Sequence, residues 1–144
     1  MANTVFTYGK SGIGGAINLA TDTIKAALLM SNNNAAATED AQFLTNLTLD
    51  ECNGSGYARI TLTTPTVTPD TTNNKGVWDM DNIIFVLVGT STRTVTGILI
   101  YKHVGADSAN IPIAYIDTAT GLPITPNGSS ITVSIAAGGL ITIG

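Results

Sequence analysis

The 144-residue chain has one cysteine, one histidine and one tryptophan, and only 11 % of its residues are charged. Each scarcity closes off a class of chemistry. Cys52 stands alone, so no intrachain disulfide can form and a small buried thiol is expected. His103 is the only histidine, which excludes multi-histidine zinc sites. The cations Lys10, Lys25, Arg59, Lys75, Arg93 and Lys102 are scattered singly, and the net charge is −4. No basic stripe is available to neutralise a phosphate backbone, so nucleic acid is not expected as a partner. No apolar run approaches the ~18 residues of a membrane helix, and Met1-Ala2-Asn3-Thr4 lacks the basic and apolar regions of a secretory signal. The expectation is a protein without a membrane partner, made and left in a cytoplasm.

The polar surface is supplied instead by Thr, Asn, Ser and Gly. Thr suits the half-buried face of a strand, and Asn and Gly suit tight turns, so β structure is expected throughout. A surface with so few charges is tolerable if much of it ends against a partner. The length is that of one domain, able to bury a core without a metal or a disulfide.

Residues 1–19 read as an N-terminal arm or edge strand, and residues 20–144 as a single domain. Val5-Phe6-Thr7-Tyr8 has strand character, whereas Gly9-Lys10-Ser11-Gly12-Ile13-Gly14-Gly15 is too glycine-rich to pack by itself. Ile24 to Met30 (IKAALLM) is bounded by polar turn residues at strand length, with Ile24, Ala26, Leu28 and Met30 sharing a face. Thr38-Glu39-Asp40-Ala41-Gln42-Phe43-Leu44 carries an N-cap residue and two acids in a first turn, which predicts one short helix. Tyr57 to Thr63 alternates with period two, placing Tyr57 and Arg59 on one polar face. Pro65 and Pro69 confine the next segment to a sheet edge or a loop. Ile83 to Val88 is continuously apolar, as expected of a strand covered on both sides; 94–103, 111–117, 131–135 and 140–143 complete the set. The fold class is therefore all-β: a β-sandwich of about eight strands, jelly-roll or immunoglobulin-like, with one short helix and an extended N-terminal arm.

Little in the chain points to catalysis. Gly9-Lys10-Ser11 has the end of a phosphate-binding loop, but Thr4 stands where that loop needs a glycine. His103 has no Gly-x-Ser-x-Gly elbow to accompany it. Asp79 and Asp81 flank Met80 and would share a face if extended, more in keeping with a solvated strand end than with a calcium or acid–base site. Neither a catalytic residue, nor a metal ligand, nor a cofactor is expected, and enzyme is the weakest class.

One composite pattern carries more. The strand IKAALLM precedes Glu51-Cys52-Asn53-Gly54-Ser55-Gly56-Tyr57-Ala58-Arg59; Trp78 stands ahead of NIIFVLV; then come TGILIYK, NIPIAYID, GSSITV and a closing GLITI. This arrangement over Ile24 to Ile143 resembles a group of small tailed-bacteriophage structural proteins in which an E-x-x-G-x-G-Y-A-R stretch precedes several strands. The resemblance implies a virion component without an active site: a capsid decoration (cement) protein that binds the outer capsid surface, with the major capsid protein as partner. It also implies a homo-oligomer, a trimer ahead of a dimer, on the capsid surface after assembly in the host cytoplasm. The alternative is a tail or fibre module that binds a host receptor or glycan. Tyr8 and Lys10, on an arm laid along the shell, and Tyr57 and Arg59, after the glycines, are the expected partner-binding residues.

Overall fold

The computed structural model describes residues 3–144. In chain order its elements are β1 (Thr4–Val5), α1 (Thr7–Ile13), β2 (Ile24–Met30), β3 (Ile60–Thr61), β4 (Thr66–Asp70), β5 (Lys75–Asp79), β6 (Ile83–Phe85), β7 (Val95–Lys102), β8 (Ile111–Ile116), β9 (Ile131–Val133) and β10 (Ile141–Ile143). The strands form a five-stranded sheet in the order β1-β8-β7-β2-β3, a three-stranded sheet β10-β5-β4 and a two-stranded sheet β6-β9. Every pairing is antiparallel. The described residues are thus all-β with one short helix, in ten short strands rather than about eight.

The unbroken apolar runs of β2 and β7 follow from their place at the centre of the large sheet. Ile24, Ala26, Leu28 and Met30 point to one side with Ile98 and Ile100, and meet Trp78, Ile83, Phe85, Ile131, Val133 and Ile141 from the two smaller sheets. Ala27, Leu29, Leu99, Tyr101 and Tyr115 point to the other side. A strand buried on both faces has no use for polar alternation. Pro69 lies in β4, an edge strand of the three-stranded sheet, where a missing N–H is tolerated.

The second face is covered without an α-helix. The helix expected at 38–44 is absent; in its place are two 3-10 turns, Ala35–Ala37 and Leu44–Asn46. Asparagine side chains bond backbone groups in and around this segment. Asn33 Oδ1 accepts the Ala35 N–H, Asn34 Oδ1 that of Thr48, and Asn46 Oδ1 that of Phe43. The segment therefore spreads over the sheet, and Ala35, Ala41, Leu44 and Leu47 each reach it.

Nor do residues 3–19 form an extended arm. β1 is an edge strand on β8, and the glycine-rich stretch that follows winds into α1. Gly9 makes this possible: a Cβ there would sit 2.8 Å from both Cα and O of Ile113, so only glycine lets α1 lie against the β8 backbone. Phe6, Ile17 and Leu19 are buried, and the Trp78 indole N–H donates to the Leu19 carbonyl at 3.1 Å. Met1 and Ala2, the first residues of the expected arm, lie outside the described residues.

Candidate functional site

The residues that carry the sequence pattern are best understood from Gly54 outward. Gly54 to Tyr57 is a turn closed by the Tyr57 N–H on the Gly54 carbonyl at 3.1 Å, with Gly56 at φ 77°, the geometry of a type II turn. This loop lies backbone to backbone against Gly89. A Cβ on Gly54 would meet the Gly89 carbonyl oxygen at 2.4 Å, and one on Gly89 would meet Ser55 N at 2.9 Å. The contact is closed by the Gly89 N–H donating to Ser55 O at 2.8 Å.

After the turn the chain doubles back onto Glu51. Tyr57 Oη accepts the Leu28 N–H at 3.1 Å and donates to Glu51 Oε2 at 2.9 Å. The Arg59 guanidinium reaches Glu51 Oε1 through Nη2 at 2.5 Å, and Asp107 through Nη1 at 2.6 Å and Nη2 at 2.8 Å. It also lies over the Tyr101 ring, 5.4 Å from the centroid. Burial, reinforced by the Glu51 charge, pushes the Tyr57 phenol well above its ordinary range. Hydrogen bonds donated to Asp107 and then Glu51 hold Arg59 firmly cationic, and Arg59 in turn keeps the Asp107 carboxyl below the usual carboxylate range. Glu51, Gly54, Gly56, Tyr57 and Arg59 therefore act together as a brace that fixes one loop to β2 and to the β7–β8 connection.

The brace supports an apolar turn. β6 pairs only with β9, and Ile84, Val86 and Leu87 are 48 %, 64 % and 66 % exposed. The continuous run 83–88 is thus covered on one side, through Ile83, Phe85 and Val88, and open on the other. Leu87 holds a left-handed backbone at φ 47°, which a bulky residue adopts only under constraint. The constraint is visible: Leu87 N–H donates to Ser130 Oγ at 3.1 Å, Val88 N–H to Ser129 O at 3.2 Å, and Gly128 N–H to Val88 O at 2.9 Å. Exposed neutral side chains flank it: Asn53 and Ser55 on the braced loop, Ser129 and Ser130 on the turn opposite, and Thr132 facing Ile84 across the strands, while the exposed Asp81 shares a surface depression with Ile84.

The four expected partner-binding residues divide into two groups. Tyr57 and Arg59 come together but are directed at Glu51, Asp107 and Leu28 within the chain. Tyr8, 42 % exposed, and Lys10, also exposed, lie on α1 at the opposite edge of the large sheet. Gly9-Lys10-Ser11 is helical, not a phosphate loop. Asp79 Oδ1 accepts the Met80 N–H, while the Asp81 N–H donates to Thr64 Oγ1. His103 Nδ1 is buried without a hydrogen bond, and Cys52 is buried. Among the described residues, no group of three or more His, Cys, Asp or Glu is placed to hold a metal ion. Ile84, Val86 and Leu87 were not singled out by the sequence, because an apolar run does not say which face is covered. No protein-family model, curated protein or solved structure matches the chain.

Proposed function

We propose that the chain is a bacteriophage structural protein that decorates the capsid, seating Ile84, Val86 and Leu87 against the shell formed by the major capsid protein. One observation carries the reading. Three large apolar side chains stand in solvent on and beside a turn whose backbone is constrained from below, with the neutral polar Asn53, Ser55, Ser129 and Ser130 on the adjoining loops. Contiguous exposed apolar surface with a polar rim is the usual mark of a protein contact, and its energy comes from area removed from water. A surface low in charge suits a component packed in many copies, since like charges are not brought together. Two packed β layers, read as a sandwich, and assembly as a homo-oligomer, a trimer ahead of a dimer, belong to the same proposal. The alternative of a glycan-binding tail module gains less support: Trp78 is buried, and Tyr8 is the exposed large aromatic among the described residues.

The test is co-sedimentation of the purified protein with capsids that lack it, together with its copy number in whole particles. Binding at a stoichiometry near that of the shell protein is expected. Val86→Asp and Leu87→Asn should lose binding while keeping the unfolding midpoint, because both side chains are exposed and asparagine is at ease at positive φ. Full binding by both variants would remove the apolar turn from the interface. A handful of copies per particle would favour the tail, and absence from the particle would end the virion reading.

A further inference from the structure

We infer that Pro65 and Pro69 keep the outer edge of β4 from pairing with a second copy of this chain. A strand at a sheet edge offers a row of unpaired N–H and C=O groups, and proteins blunt such edges with short length, bulges, charge, a covering segment or proline. β4 has none of the first four. Among the described residues it is the longest edge strand: Thr66–Asp70 spans five residues, against two in β1 and β3 and three in β6, β9 and β10. Its ladder with β5 runs from Thr66↔Asp79 to Asp70↔Lys75 without a bulge. No charged residue lies between Thr63 and Pro69, and Thr66, Val67, Thr68 and Pro69 are all exposed. Thr and Val are strong strand formers, so the side chains themselves do nothing to discourage a neighbour.

The direction of the backbone groups shows that the prolines fill this role. Within a strand, the N–H and C=O of one residue point to the same side, and the side alternates from residue to residue. The Leu140 N–H donates to the Trp78 carbonyl at 2.8 Å, so Trp78, and Gly76 two residues before it, face β10. Their partners across the β4–β5 ladder, Val67 and Pro69, therefore turn their backbone groups outward, while Thr66, Thr68 and Asp70 turn theirs to β5. Pro65, just before the strand, continues the outward set. The outer row thus reads proline, valine, proline, and Val67 alone supplies an N–H to it. Both prolines sit where they remove an outer donor and leave the inner ladder intact.

A second copy added antiparallel about Val67 would set Pro65 against the partner's Pro69, a pair with no donor on either side. Bonds would form between the two Val67 residues and nowhere else along the row. Sliding the register by two residues sets Val67 against a proline and loses one of those bonds as well. Pairing would therefore take the outward carbonyls from water without bonding them. Where many copies lie close together, as on a decorated shell, an open edge would join them into chains that do not close. The inference itself rests on the fold alone.

Sedimentation velocity of the full chain over a concentration series tests the assignment, with the wild-type size as baseline. Pro65→Thr/Pro69→Thr restores a donor at both positions in both copies. Each bond is worth about fivefold in an association constant, so self-association should tighten by about a hundredfold or more. Amide hydrogen exchange at 65–69 should slow as the larger species forms. Each single variant should show part of the gain, which covers the case in which the double variant does not fold. Adding Val67→Lys to the double variant should return it to the wild-type size, because the pairing would then set like charges face to face. A folded double variant of wild-type size at every concentration would overturn the inference. So would association that survives Val67→Lys, or wild-type amides at 66–68 protected by association. Capsids play no part in these readouts, so the inference and the decoration reading fail separately.

Discussion

Adding a single methyl group at Gly54 tests the brace directly. In Gly54→Ala the new Cβ would lie 2.4 Å from the Gly89 carbonyl oxygen and 2.9 Å from Val88 Cγ1. Neither neighbour can step aside cheaply. The Gly89 backbone is bonded to Ser55, and Val88 is wholly buried with its carbonyl held by Gly128. Overpacking of this kind costs about 1–3 kcal/mol. Replacing glycine also restricts the unfolded chain, which works the other way by about 0.4–1 kcal/mol. Because the clash is with main chain, the net expectation is a loss of about 2 kcal/mol. With a urea m-value of about 2 kcal/mol/M, the midpoint should fall by about 1 M at unchanged slope.

Gly105→Ala is the control, since a Cβ there meets nothing within 4 Å. It should be neutral or slightly stabilising, by up to about 1 kcal/mol. Gly56→Ala separates conformation from space. Its nearest neighbour, Leu87 O, is 3.3 Å away, but φ is 77°, so a loss of about 1–2 kcal/mol is expected from the left-handed backbone. If Gly54→Ala matched Gly105→Ala in urea, the loop would not rest on Gly89 in solution. The account of the brace would then be wrong.

Gly9→Ala should lower the unfolding midpoint through a comparable cost of about 1–3 kcal/mol, because its Cβ would press on Ile113 Cα and O at 2.8 Å; an unchanged midpoint in thermal unfolding would mean that α1 is not packed on β8. Tyr57→Phe removes the acceptor of the Leu28 N–H inside the buried strand β2, and a cost of about 1–3 kcal/mol in denaturant unfolding is expected. Acid should unfold the protein through its paired aspartates. Arg59 depresses the Asp107 carboxyl, Arg93 that of Asp50 and Lys102 that of Asp22. Each binds its proton less readily folded than unfolded, so the stability it adds is present above the unfolded value of about 3.9 and is lost as pH falls through the folded value. The thermal midpoint should therefore be level from neutral pH to about pH 5 and fall below about pH 4; a level midpoint through that acid range would refute the assignment.

The central strands were legible because burial on both faces leaves runs of strand length without polar alternation. IKAALLM, TGILIYK and IPIAYI are apolar at odd and even positions alike, and they became β2, β7 and β8. Pro65 and Pro69 marked an edge for a reason that holds in the structure, since β4 is unpaired on one side. Two readings failed through tertiary override of local preference. The 7–13 stretch has poor helix formers in Gly9 and Gly12, yet it winds because the β8 edge demands a small residue at close range and Phe6 is anchored in the core. The 38–44 stretch has a helix's start signals, yet its backbone groups are engaged elsewhere: the Phe43 N–H on Asn46 Oδ1, the Leu44 N–H on the Asn110 carbonyl and the Glu39 carbonyl on the Thr7 N–H. Ile83 to Val88 misled for a third reason. Hydrophobicity records what a residue prefers to touch, and at Ile84, Val86 and Leu87 nothing within the chain provides it.

The same geometry separates what the E-x-x-G-x-G-Y-A-R stretch specifies from what it leaves free. Glu51, Tyr57 and Arg59 satisfy one another and β2, and Gly54 and Gly56 bring the loop onto Gly89. All five residues set the height and direction of the turn at 86–88 without contributing to what it displays. Leu87 shows the converse. Its backbone bonds would survive almost any side chain, its left-handed φ would suit asparagine or glycine better, and two thirds of its surface lies in solvent. Fold stability therefore gives no reason for leucine at 87, and even less for valine at 86. The proposed capsid contact would supply that reason, and on that proposal binding and stability should respond to different halves of this site: the brace to unfolding, the turn to assembly.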